Sequence, residues 1–258
     1  YTILVVDDNP DMTDFLKRTF EGYFKRIIIA GDGGEALQLV RSHVPDIIVS
    51  DVMMPRMNGY KLCKTIKEDI NISHIPVILL TARDDRQSQI SGYKNGADGY
   101  LSKPFEVEML MELIRNRLKN REYTKKRYLN AGLIPTPEES TISLTDETFL
   151  IKLNSIIQEN IENSNLGIQF ICQEVGLGRS SLYNKLKALT GMGANEYISK
   201  LRIEKAITLI SGTDMPFSEI AEKTGFTTPS YFSTAFKQYT GETPSQYKER
   251  KKKGLADK

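Results

Sequence analysis

The chain has 258 residues, 40% hydrophobic and 26% charged, with a formal net charge of +2, the makeup of a soluble globular protein long enough for two domains. No apolar run approaches the roughly 18 residues of a membrane span, and the chain opens directly on a strand, so neither a membrane contact nor a secretory leader is expected of this segment. The two cysteines, Cys63 and Cys172, sit in helical patterns without metal or redox spacing, which fits a reducing cytoplasm.

Residues 2–6, TILVV, predict a buried strand that ends on Asp7 and Asp8. Asn9-Pro10-Asp11 then opens a helix over 12–22, with Pro near its start and acids in its first turn. Alternation continues with a strand at 26–30, a helix at 33–43 and an apolar strand at 46–50 that runs into Asp51. A helix at 58–69, a strand at 76–80, a helix at 84–95, a short strand at 98–101 and a helix from 105 complete the series. Five strands alternating with helices predict an α/β fold, a doubly wound parallel sheet in the order 2-1-3-4-5.

One motif in this half is a decoy. GDGGEA satisfies the dinucleotide pattern with Gly31, Gly33 and Ala36, and Asp51 supplies an acid twenty residues on. However, the motif follows the second strand of the unit rather than the first, and Gly34 and Glu35 are ordinary helix-start residues.

The strand ends carry the chemistry. Strand one ends on Asp7 and Asp8, strand three on Asp51, strand four on Thr81-Ala82, and strand five leads to Lys103-Pro104. In a parallel sheet these ends share one edge, so the groups converge. Adjacent carboxylates repel and call for a cation, which Mg²⁺ meets with its preference for hard oxygen ligands. Three carboxylates, a hydroxyl and an ammonium suit phosphoryl transfer, with one Asp as nucleophile.

On the Asp7-Asp8 pair, DVMMPRMNG at 51–59, Thr81-Ala82, and Tyr100 followed by Lys103-Pro104-Phe105, residues 1–120 resemble the receiver domain of two-component signalling. The resemblance implies an aspartyl phosphate at Asp51, taken from a phosphohistidine. It implies Mg²⁺ held by Asp7, Asp8, Asp51 and the backbone carbonyl of Met53. It also implies that Thr81, Ala82 and Lys103 hold the phosphate while Tyr100 swings inward on activation, and that Lys103-Pro104 is a cis peptide. A dehalogenase-type phosphohydrolase would need a second acid two residues after the nucleophile, where Met53 stands, so no enzymatic turnover is expected.

Residues 121–144 read as an extended helix end and linker, basic in RLKNREYTKKRY and then Pro-bearing in AGLIPTPEEST. From Asp146 a helical stripe of Phe149, Leu150, Leu153, Ile156, Ile157 and Ile161 begins. Two similar units follow, FICQEVGLGRSSLYNKLKALTG at 170–191 and IAEKTGFTTPSYFSTAFKQYTG at 220–241, joined by a long helix at 194–211. Each has a short helix, a Gly turn and a second helix closing on Thr-Gly, the layout of a helix-turn-helix. Leu182, Leu186 and Leu189, with Phe232 and Phe236, are expected to face the core.

Residues 145–250 resemble the AraC-type DNA-binding domain, which makes the second half all-α. The resemblance implies two recognition helices in successive major-groove segments, about 34 Å apart on one DNA face. Expected DNA contacts are Arg179, Ser180, Ser181, Tyr183, Asn184 and Lys187 from the first unit. Thr228, Ser230, Ser233, Thr234 and Lys237 are expected from the second. Residues 251–258 read as a basic disordered tail. Receiver followed by AraC-type domain resembles the C-terminal part of Bacteroidetes hybrid two-component sensors, in which sensor, kinase and regulator share one membrane-spanning polypeptide, and the missing initiator Met agrees. The expected partners are DNA, a phosphohistidine donor kinase and a second copy on phosphorylation, with no small-molecule substrate. A free-standing regulator and a phosphorelay intermediate with a protein-binding second half are the alternatives.

Overall fold

A computed structural model describes residues 1–82, 96–130 and 143–256. The helix expected over 84–95 and the Pro-bearing linker after residue 130 lie outside the described residues. The chain divides into two compact units, the first built on Tyr1–Asn130 and the second on Phe149–Lys187 and the residues from Gly191 on.

The first unit holds β1 (Thr2–Val6), α1 (Pro10–Phe20), β2 (Arg26–Ala30), α2 (Gly33–His43), β3 (Ile47–Asp51), α3 (Gly59–Glu68), β4 (Val77–Ala82), β5 (Gly99–Lys103) and α4 (Val107–Asn130). The strands form one sheet in the order β2-β1-β3-β4-β5, every pairing parallel. Because side chains alternate along a strand, each central strand buries both faces. Leu4, Val6, Ile48 and Leu79 pack with Ala36 and Val40 of α2 and Leu62 and Ile66 of α3. Ile3, Val5, Ile47, Val49, Ile78 and Leu80 pack on the opposite face with Leu16 and Phe20 of α1 and Leu110 and Ile114 of α4.

Three strands run one or two residues further than their apolar patterns suggest. Asp51 pairs with Leu80, and Ala82 with Lys103, so the polar groups expected just beyond β3, β4 and β5 are themselves strand residues. Ladder bonds hold them there whatever their polarity, as in the 3.0 Å bond from Val52 N to Leu80 O. Similarly, α1 starts earlier than its apolar pattern, at Pro10, because the Asn9 side chain accepts from Asp11 N at 3.0 Å and caps it. Helix α4 continues without a break through the basic stretch to Asn130, and Arg121 Nη1 donates to Asp46 O at 3.1 Å.

Beyond them, α5 (Leu144–Glu159) starts one residue before the expected boundary, and its stripe of Phe149, Leu150, Leu153, Ile156 and Ile157 is buried. The second unit continues with α6 (Ile168–Val175), α7 (Arg179–Thr190), α8 (Ala194–Gly212), α9 (Phe217–Lys223), α10 (Pro229–Thr240) and α11 (Pro244–Ala256). Thus α6–α7 and α9–α10 are the two helix-turn-helix pairs, and α8 joins them. Phe226, Phe232, Phe236 and Tyr247 stack in series, with ring centroids 5.4, 5.7 and 5.6 Å apart. That series corrects one expectation. Residues 251–256 are not a disordered tail but the end of α11, which Tyr247 anchors against Phe236 while Arg250 and Lys251 lie over the Tyr247 ring at 5.0 and 5.9 Å. No helix among the described residues is long and apolar enough to cross a membrane.

Candidate functional site

Three carboxylates meet at the carboxyl edge of the sheet. Asp7 follows β1 and is buried, Asp8 beside it is exposed, and Asp51 ends β3 and is buried. One oxygen of each lies within 4.8 Å of the others. Lys103, the last residue of β5, reaches back with its ammonium 2.6 Å from Asp51 Oδ1 and 2.9 Å from Asp7 Oδ2. The second Asp51 oxygen accepts from the backbone N–H of Met53 at 2.9 Å.

Local chain geometry explains the aim of Asp51. Gly59 N donates to Val52 O at 3.1 Å, folding the loop after β3 back on itself. A Cβ at Gly59 would lie 2.2 Å from the Asp51 carbonyl oxygen, so only glycine permits this approach. The loop is also tied to the start of α2: Gly33 N donates to Met57 O at 3.3 Å, and Arg56, at φ 63°, pairs with Asp32. Asp32 and Glu35 meanwhile satisfy the amides at the start of α2, accepting from Gly34, Glu35 and Gly31. The decoy glycine motif therefore spends its phosphate-type donors on the chain's own carboxylates.

Burial pushes the Asp51 carboxyl above its ordinary range, an effect that the Lys103 ammonium and the Met53 amide oppose. For Lys103, burial acts downward but the bonds to Asp51 and Asp7 outweigh it and hold the ammonium above its usual value. Thr81, one residue before the end of β4, is buried, and its hydroxyl has no hydrogen-bond partner among the described residues. Tyr100 in β5 is half-buried against the α2/α3 face of the core, with its hydroxyl oxygen buried. The Lys103-Pro104 peptide is cis, as expected. Met53, where a phosphohydrolase would carry its second acid, is 70% exposed.

The donor set fits Mg²⁺: hard oxygens only, two of them on buried carboxylates, with the exposed Asp8 leaving room for the waters that ion retains.

In the second unit α7 presents Arg179, Ser180, Tyr183, Asn184 and Lys187 to solvent, and α10 presents Ser230, Thr234 and Lys237, with Thr228 exposed at its start. Leu182, Leu186, Leu189, Phe232 and Phe236 are buried, as their spacing predicts. Ser181 and Ser233 are half-buried, so they are less available than their neighbours. Thr228 Oγ1 accepts from Tyr231 N at 3.2 Å and caps α10, whereas α7 begins at Gly178 with no side-chain cap. Two features escaped the sequence reading. Tyr231 is an exposed aromatic on α10, edge-on to Phe226 at 5.8 Å. Lys185 is fully buried in α7 with its ammonium 5.1 Å from the Phe149 ring centroid. The helical register of Lys185, between Leu182 and Leu186, was the available signal.

Residues 3–115 match the family model of the response regulator receiver domain, and residues 171–250 match that of a helix-turn-helix domain. Histidine kinase P4 of Formosa agariphila is 41% identical over 249 residues, which are 96% of this chain and 18% of that protein. The DNA-binding response regulator MtrA of Mycolicibacterium smegmatis is 36% identical over 130 residues, 50% of this chain and 56% of that one. The heme response regulator HssR of Staphylococcus saprophyticus is 41% identical over 118 residues, 46% of this chain and 51% of that one. The chain thus spans under a fifth of the kinase's length and about half the length of the two regulators.

Proposed function

We propose that this chain, a receiver domain followed by an AraC-type helix-turn-helix domain, is a response regulator: a transcription regulator switched by phosphorylation of Asp51. The observation that carries this reading is the buried Asp51 with Lys103 at 2.6 Å, at the same sheet edge as a buried Thr81 hydroxyl that lacks a partner among the described residues. A carboxylate oxygen of Asp51 attacks the phosphorus of a phosphohistidine. The N–P bond breaks, its electron pair returns to the imidazole, which takes up a proton, and an acyl phosphate remains on Asp51. Lys103 and Thr81 donate to the phosphoryl oxygens, the first as a charge and the second through its hydroxyl, with the Ala82 amide beside it. Asp7, Asp8, Asp51 and the Met53 carbonyl would hold Mg²⁺, which supplies charge neutralisation to the incoming phosphoryl group.

The output is DNA binding. Arg179, Ser180, Asn184 and Lys187 of α7 and Thr228, Ser230, Thr234 and Lys237 of α10 would face the grooves and backbone, with Ser181, Tyr183 and Ser233 at their margins. The phosphodonor is a histidine kinase in the same polypeptide. This reading is supported by the Formosa agariphila relative, in which a single named kinase contains a counterpart to 96% of this chain. On this reading the segment works in the cytoplasm, tethered through a sensor at the membrane.

Incubation with labelled acetyl phosphate and Mg²⁺ tests the acceptor: Asp51→Asn should lose all acid-labile label. Label that survives in Asp51→Asn but disappears in Asp7→Asn or Asp8→Asn would move the nucleophile elsewhere. A gel shift on the chain's own locus separates this reading from a phosphorelay intermediate, for which no sequence-specific, salt-sensitive binding would appear.

A further inference from the structure

Helix α8 runs from one helix-turn-helix pair to the other, and Arg202 in its middle touches the loop that leads into the first pair and the turn inside the second. One guanidinium nitrogen donates to the carbonyl of Asn163, in the loop before α6, at 2.7 Å. The same group lies 6.0 Å from the ring of Phe226, in the turn between α9 and α10. Gly225 in that turn has φ +72°, and a Cβ there would lie 2.2 Å from Ile161 O and 2.9 Å from Arg202 Nε. The loop leading into the first pair, the guanidinium and the turn of the second therefore meet at one point that has no room for a methyl group. One turn along α8, Lys205 binds Glu162 at 3.1 Å and fastens the same loop again.

An arginine is an expensive way to fill this space. Burial holds its guanidinium below the ordinary range, and Nε is buried without a hydrogen-bond partner among the described residues. Arg202 is half-buried, and an apolar side chain of similar volume could fill the space around its buried Nε without leaving an unpaired donor there. What the guanidinium adds is direction, because its planar fork fixes the angle at which donor and acceptor meet. We infer that Arg202 is a positioning residue that sets the separation and pitch of α7 and α10, and with them the spacing of the two DNA half-sites the chain accepts. The inference rests on the DNA-binding reading above and adds to it the element that measures half-site spacing.

Selection from random double-stranded DNA tests it, with the full chain held in its active form by Mg²⁺ and beryllofluoride. The parent chain should enrich two half-sites at one spacing, and inserting a single base pair between them should weaken binding at least tenfold. Arg202→Met should enrich the same half-site sequences at several spacings, with the insertion penalty falling below threefold. Arg202→Lys, which keeps a charge and a stem of similar length, should fold like the parent and give an intermediate spread of spacings. A single unchanged spacing in both variants, even with weaker binding throughout, would overturn the inference, because a merely structural role lowers affinity without relaxing spacing. Failure of the parent to enrich any sequence would instead overturn the DNA-binding reading, and the inference with it.

Discussion

The ammonium of Lys103 stands 2.6 Å from Oδ1 of Asp51, closer than its 2.9 Å contact with Asp7. Even so, burial leaves the Asp51 carboxyl above its ordinary range. The folded chain therefore holds this proton to a higher pH than the unfolded chain does. Stability from Asp51 is fully present below its unfolded pKa and is lost as pH rises through the folded value. Asp51→Asn buries no charge, so in chelator it should melt above the parent near neutral pH. The gap should close as pH falls below the usual carboxylate range, about 4. Thermal melts across that window check it, and a gap that widens on acidification would refute the burial argument.

Gly59→Ala should damage the proposed phosphorylation site without replacing any polar side chain in it. The new methyl would overlap the Asp51 carbonyl at 2.2 Å, and forcing an atom into packed structure costs about 1–3 kcal/mol. Urea unfolding should show a loss of that size. The phosphorylation rate should fall by more than the loss of folded protein explains.

In the DNA-binding half, Asn184→Ala and Lys187→Ala should fail differently. Losing a bidentate amide contact should cost about 1–3 kcal/mol on the preferred sequence and little on random DNA. Losing a phosphate contact should weaken binding to all sequences alike and lower the salt slope by about 1. Titrations on both DNAs at several salt concentrations separate the two. Equal loss on both DNAs for Asn184→Ala would remove it from the base-reading set.

Phosphorylation should pair two copies. An added dianion draws Thr81 and Lys103 toward Asp51 and reshapes the surface around β5 and α4, where a second receiver can dock. Two AraC-type domains held together then gain avidity without new base contacts. Sedimentation with and without beryllofluoride should show the mass doubling. Constant mass with rising DNA affinity would favour release of the DNA-binding half within one copy.

The receiver half was legible because its chemistry depends on strand order. Once TILVV, DIIVSD and PVILLTA read as parallel strands, Asp7, Asp51 and Thr81 had to share an edge, and the sheet places them there. Lys103 came with them because β5 is the neighbour of β4. Periodicity likewise revealed both helix-turn-helix pairs and their buried leucines and phenylalanines. Contacts between residues far apart in sequence were not legible. Nothing local in RIEKA shows Arg202 reaching the Asn163 carbonyl, and nothing in MMPRMN shows Arg56 meeting Asp32. The register of Lys185 pointed to its burial, but its place beneath Phe149, like the helical end of the basic tail, emerges only from packing.

The Thr81 hydroxyl gives the switch its starting bias. No partner for it lies among the described residues, and a buried hydroxyl left unsatisfied sits roughly 1–3 kcal/mol above its satisfied state, a factor of about 5 to 150 in an equilibrium. Under the proposed phosphorylation of Asp51, a phosphoryl oxygen would supply an acceptor. On that reading, part of the drive toward the active conformer is stored in the unphosphorylated fold rather than delivered by the phosphate. Thr81→Val would remove that store, giving a receiver that melts higher at rest yet shifts less toward its active form when Asp51 is fully phosphorylated.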